Sequence, residues 1–110
     1  MTIYITQGRF SQKAIEGFVA KPEDRRDAVA KLMEAAGGRL IDYYVTFGDY
    51  DFLIISEGHD NKDVVASLLT AAASGTVSEL KTTVAMTTAD AKSAMEKAKS
   101  IAGSFRAPGT

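Results

Sequence analysis

The sequence predicts an α+β fold: an antiparallel sheet with helices on one face, in the order strand, helix, strand, strand, helix, strand, followed by an appended helix. Three observations carry this. Two apolar, β-rich segments flank Gly48-Asp49 within Val45–Ile55. Two apolar stripes recur at helical spacing, Ala28-Val29-Leu32-Met33-Ala36 and Val64-Val65-Leu68-Leu69-Ala72. Both ends of this pattern alternate with the period of a strand, at Thr2–Arg9 and Val77–Thr87. With 110 residues the chain reads as one domain, and folding at this size hides roughly 65% of the unfolded surface.

The first strand, Thr2–Arg9, sets Ile3 and Ile5 on one face and Tyr4 on the other, and Gly8 weakens its end. Ser11 caps a short helix through Glu16, with Ile15, Phe18 and Val19 as its apolar patch. Pro22 opens the main helix, where Pro is tolerated, and Glu23 and Asp24 follow where the helix dipole favours carboxylates. Gly37-Gly38 stops it.

The second strand is Leu40–Phe47 and the third Tyr50–Glu57. Gly48-Asp49 between them suits a two-residue type II′ turn, because glycine reaches positive φ without a Cβ clash. Leu40 and Tyr44 fall on one face of the second strand, and Ile41, Tyr43, Val45 and Phe47 on the other. Apolar residues on both faces leave two readings: a strand with tolerated surface aromatics, or cover on both faces, the second by another subunit.

Gly58-His59-Asp60 is a turn, with Asp60 as N-cap of the next helix, and Gly75 ends that helix. The fourth strand, Val77–Thr87, places Leu80, Thr82, Val84 and Met86 on one face, and Lys81, Thr83 and Ala85 on the other. Thr88 caps a last helix, Ala89–Ala102, whose stripe of Ala91, Ala94, Met95, Ala98 and Ile101 is thin, so it leans on the body or a neighbour. The chain thus divides into a domain over 1–88, an appended helix over 89–102 and a tail over 103–110. The order is the ferredoxin-like βαββαβ pattern. Face-to-face pairing of two such sheets, a dimeric α/β barrel, covers the second face.

Composition narrows function. The net charge is -1, which argues against nucleic acid or an anionic membrane surface as partner. Cysteine is absent, so disulfides, thiolate nucleophiles and Cys-ligated metals are excluded. No apolar run approaches the ~20 residues of a membrane span, and Met1–Thr6 lacks the marks of a signal peptide. A cytoplasmic location is the expectation. No P-loop or Gly-x-Gly-x-x-Gly occurs, and Gly37-Gly38 follows a helix rather than opening one, so no cofactor is implied.

Several pieces occur in an order that resembles the GYD-domain family. They are Tyr4-Ile5-Thr6-Gln7-Gly8-Arg9-Phe10, Asp24-Arg25, Gly37-Gly38, Tyr43-Tyr44, the trio Gly48, Tyr50 and Asp51, and Ser74-Gly75. The resemblance spans about residues 3 to 90. It implies the ferredoxin-like fold of the dimeric α/β-barrel type and little about activity. The Gly-x-Tyr-Asp hairpin and Thr82-Thr83 are also similar to the ligand-sensing domain of leucine-responsive regulators, in which small effectors bind near subunit interfaces. The DNA-binding helix-turn-helix of those regulators has no counterpart here.

Six residues are candidates for a ligand site: Tyr43, Tyr44, Tyr50, Asp51, Gln7 and Arg9. Asp51 is costly to bury without a partner. It either accepts hydrogen bonds from the turn or pairs with an arginine, or it joins Tyr43 or Tyr44 in holding a polar ligand or moving a proton. Gln7 and Arg9 leave the first strand on one face beside Lys81 and Thr83, as a pocket rim or a solvated edge. His59, the one histidine, reads as an exposed turn residue, with no metal motif around it. Glu23–Asp27 reads as a solvated helix start. The expected role is a homo-oligomeric domain that binds a small molecule. The alternatives are a cofactor-independent monooxygenase or isomerase with Asp51 as base, and an assembly module without a ligand.

Overall fold

The strands are β1 (Thr2–Phe10), β2 (Arg39–Val45), β3 (Phe52–Gly58) and β4 (Val77–Ala85). In the computed structural model, which describes residues 1–110, they form one antiparallel sheet in the order β2-β3-β1-β4. This is the ferredoxin-like arrangement. The helices are α1 (Gln12–Ala20), α2 (Arg26–Ala35), α3 (Asn61–Ala73) and α4 (Thr88–Ile101), the last followed by a short 3₁₀ turn, Ala102–Ser104.

Alternation along the two central strands separates the faces. Tyr4, Thr6 and Gly8 of β1 and Phe52, Ile54 and Ser56 of β3 are buried toward the helices. Ile3, Ile5, Gln7, Leu53 and Ile55 point the other way and are only half-buried, since no helix covers that side. The core is Met33 of α2 with Phe52 and Ile54, flanked by Phe10, Val29, Leu40, Tyr43, Val77 and Leu80. Gly8 does more than end a strand. A Cβ there would lie 2.6 Å from Phe52 Cζ and 2.8 Å from Leu80 Cδ2, so its bare backbone lets the core ring close onto β1.

The caps explain most helix boundaries. Ser11 Oγ accepts from Ala14 N at 3.2 Å, and α1 runs on to Ala20, past the expected Glu16. Its inward residue is Ala14, while Ile15 and Val19 are exposed. The main helix starts at Arg26, not Pro22, because Asp24 Oδ1 accepts from Arg26 N at 2.9 Å and holds 24–25 in a turn. Gly37 follows α2 at φ 90°, as a left-handed helix stop requires. Asp60 Oδ1 caps α3 through Lys62 N at 2.9 Å. The inward side of α3 is Val64, Ser67, Leu68 and Ala71, whereas Val65, Leu69 and Ala72 are exposed. Thr87, one residue before the expected Thr88, caps α4 through Asp90 N at 3.0 Å.

Two bulges and one loop depart from the sequence reading. The register of β2 on β3 slips between Leu40 and Asp42, so Leu40 shares a face with Tyr43 and Val45 instead of with Tyr44. One extra residue at a bulge reverses the parity of everything beyond it. A second slip, between Gln7 and Arg9 on β1, lies opposite Glu79, whose φ of 51° is unusual for a residue other than glycine. The β2–β3 connection is the loop Thr46–Asp51, wider than a two-residue type II′ turn. Thr46 N donates to Asp51 O at 2.9 Å and Thr46 Oγ1 to Tyr50 O at 2.7 Å, and Gly48 has φ 158°. Tyr50 and Asp51 are therefore loop residues rather than the first residues of β3.

Candidate functional site

Between the helices and the sheet lies a cleft of about 600 Å³. Its floor is the helix-side face of β1, β3 and β4, through Thr6, Phe10, Phe52, Ile54, Val77 and Leu80. Its walls are Ala14, Gly17 and Phe18 of α1, Val29, Leu32 and Met33 of α2, and Ser67, Leu68 and Ala71 of α3. The α2 stripe that forms a helix by periodicity thus lines a space that it does not fill, and Leu68 is the one residue of the α3 stripe that joins it.

Aromatic rings organise one end. Phe10 meets Phe18 edge to face, with centroids 5.0 Å apart at 78°. Phe10 and Phe52 are 5.2 Å apart. Tyr43 stands edge-on to Phe52 at 6.5 Å and 80°. Such geometries set the positive ring edge against the negative ring face. Burial pushes the Tyr43 phenol above its ordinary pKa of 10.0, because the phenolate loses water; Arg25 opposes the rise and Asp24 adds to it.

Several polar groups around the cleft already have partners. Thr6 Oγ1 and Thr82 Oγ1 share a hydrogen bond of 3.0 Å. Ser67 Oγ donates to Val64 O at 2.7 Å. At the mouth, Lys13 Nζ donates to Ser74 O at 3.2 Å, Arg25 pairs with Glu23 at 3.1 Å, and Arg26 Nη2 donates to Ile41 O at 3.1 Å. No buried side-chain nitrogen or oxygen lacks a partner. What the cleft presents is therefore mainly shape and apolar surface.

The six candidates from the sequence do not converge. Tyr43 lines the cleft. Tyr44 is on the opposite face, paired with Leu53 and 55% exposed. Gln7 shares that open face, opposite Lys81 as its strand position implies. Arg9 is exposed and pairs with Glu79 at 2.6 Å. Tyr50 belongs to the loop. Asp51 does not line the cleft; its Oδ2 accepts from Phe10 N at 2.9 Å, and its own N donates to Gly8 O at 2.8 Å. Its carboxylate is therefore held by the end of β1, not by the turn or by an arginine. Sequence reasoning missed Phe10, Phe18, Met33, Leu68 and Leu80 as site residues. Their only signal was an apolar character that a filled core would show equally.

Comparisons with known proteins bear on this architecture. A family model described as GYD domain matches residues 4–95. No curated protein matches the chain. Among solved structures, TTHA0845 from Thermus thermophilus is similar with a TM-score of 0.50 and 15% identity, over 79% of this chain and 95% of that one. At that identity the likeness concerns the fold alone. The structure titled FFRP-DM1 aligns with a TM-score of 0.46 and 17% identity, over 78% of this chain and all of that one.

Proposed function

Starting from a chain that belongs to the GYD-domain family, we propose that it is a small-molecule-binding domain whose ligand is a compact, largely apolar, ring-bearing compound held in the cleft between helices and sheet. The observation that carries this is the unfilled interior. Only 10 of 110 residues are buried, and the space between the layers is about 600 Å³. That volume sits within the roughly 300–1,000 Å³ of small-molecule sites. Folded interiors are otherwise packed like organic crystals, and a cleft with apolar walls gives water too few partners to be a favourable occupant. Aromatic edges at Phe10, Phe18 and Phe52 suit a flat ring, and the Tyr43 hydroxyl is the polar group best placed to orient it.

The binding unit in this reading is a homodimer closed through the open sheet face. Ile3, Ile5, Leu53 and Ile55 form a contiguous apolar strip there, with Tyr44 beside it, and a strip of this kind on a small domain marks a contact surface. The enzyme alternative draws no support from Asp51, which is engaged by Phe10 N away from the cleft.

Native mass spectrometry of protein purified gently from its own host tests this. A dimer carrying a reproducible extra mass, lost in an Ala71→Trp variant that fills the cleft from α3, is the expected result. A dimer with no bound mass, together with no thermal shift from any aromatic compound in a fragment screen, would sink the ligand reading in favour of a module that only assembles.

A further inference from the structure

We infer that α4 is an association arm that pairs antiparallel with α4 of a second copy of this chain. The helix has no substantial packing on any strand or other α-helix of its own body. Ala91 is half-buried and every residue after it is exposed. The arm stretches the molecule to 63 Å along one axis against 31 and 21 Å along the others. A helix of 14 residues is marginal on its own in water, since nucleation is costly and tertiary packing supplies most helical stability. The missing support lies outside the protomer.

The exposed apolar groups show what kind of support fits. Met95, Ile101 and Phe105 on the arm are 67%, 54% and 76% exposed, and Val84 and Met86 at the adjoining end of β4 are 62% and 63% exposed. Along α4, Ala91, Ala94, Ala98 and Ile101 repeat at the three-four spacing of a two-helix seam. The charges flanking that seam choose its direction. Asp90 and Lys97 occupy equivalent flanking positions one heptad apart. An antiparallel pair that opposes Ala91 to the partner's Ala94 sets Asp90 beside the partner's Lys97, and by symmetry repeats the pair. A parallel pair sets both charges beside apolar positions, the partner's Met95 and Ala102. Antiparallel packing also aligns opposite helix dipole ends. In that register Ile101 and Phe105 pass beyond the start of the partner helix toward its β4 end, where Val84 and Met86 lie exposed. The second copy thus covers Ile101 and Phe105 together with Val84 and Met86, leaving Met95 at the flank of the seam, and the symmetry closes.

The chain has no cysteine, so engineered thiols report on this contact alone. Full-length Ala91→Cys and Ala94→Cys proteins, mixed and mildly oxidised, are expected to give mainly the mixed disulfide dimer. Like-with-like dimers in excess, or none at all, overturn the arrangement. Sedimentation equilibrium gives the second readout. Asp90→Lys or Lys97→Asp alone weakens self-association by about 3- to 10-fold through two like-charge contacts, and Asp90→Lys/Lys97→Asp together restores it. A double variant no tighter than the singles counts against the pairing. Because α4 contributes no buried residue to the core, these variants leave the domain folded, and the test is independent of whether the cleft holds a ligand.

Discussion

Asp51 Oδ2 accepts the Phe10 backbone N–H at 2.9 Å, joining the β2–β3 loop to the end of a strand 41 residues earlier. With Asp51 N on Gly8 O at 2.8 Å, one loop residue carries the β1–β3 pairing beyond Phe52, the first residue of β3. Phe10 is held by this bond at the point where its ring meets Phe18 and Phe52. The name-giving aspartate of the family pattern thus acts as a clamp on the aromatic end of the cleft.

Asp51→Ala removes the acceptor and leaves the part-buried Phe10 N–H without a partner. We expect a loss of about 1–3 kcal/mol in urea unfolding. Asp51→Asn keeps an acceptor oxygen and should lose less. Equal losses in the two variants would contradict the clamp.

Gly8→Ala places a methyl group where Phe52 Cζ already lies 2.6 Å away. Overpacking of this kind costs about 1–3 kcal/mol, visible as a lower thermal midpoint. Phe52→Leu in the Gly8→Ala background removes one of the two clashes, the other being with Leu80 Cδ2 at 2.8 Å, and should recover part of the loss. Strict additivity of the two changes would show that the residues do not press on each other.

Tyr43 makes stability depend on alkaline pH. Its phenol titrates higher in the folded chain than the ordinary 10.0 because burial disfavours the phenolate. Between those two values the native state holds more protons than the unfolded state, so stability falls as pH rises. The contribution is whole below pH 10 and disappears as pH passes the folded value. Denaturant midpoints taken from pH 8 upward should fall less steeply for Tyr43→Phe than for the wild type. A phenolate absorbance titration should also lose a component that titrates above the ordinary 10.0 in that variant.

The order of elements was legible because it rests on local periodicity. Ile3, Tyr4 and Ile5 alternate as a strand whatever they pair with, and Val29, Leu32 and Met33 make a stripe on any helix. The family pattern was legible for the same reason, as short pieces in sequence order. Tyr43 was the one candidate placed in the cleft. The rest of that surface was concealed because Phe10, Phe18 and Leu68 look the same in a sequence whether they fill a core or line a gap.

By itself, then, the sequence determined the α+β class, the ferredoxin-like order, the caps at Ser11 and Asp60, and the absence of thiol chemistry. These follow from residue type and from spacing within a few positions. The tertiary structure alone decided the bulge at Leu40–Asp42, the wider loop Thr46–Asp51, the hold of Asp51 on Phe10, the cleft and the detached α4. The hold of Asp51 on Phe10 and the cleft depend on the meeting of segments far apart in the chain, the bulge and the loop on how two successive strands pair, and the detachment of α4 on the body offering it no surface. A one-residue slip against the next strand turns Tyr44 away from Leu40 and leaves Tyr43 facing Phe52, and the pattern within β2 does not record which partner residue lies opposite.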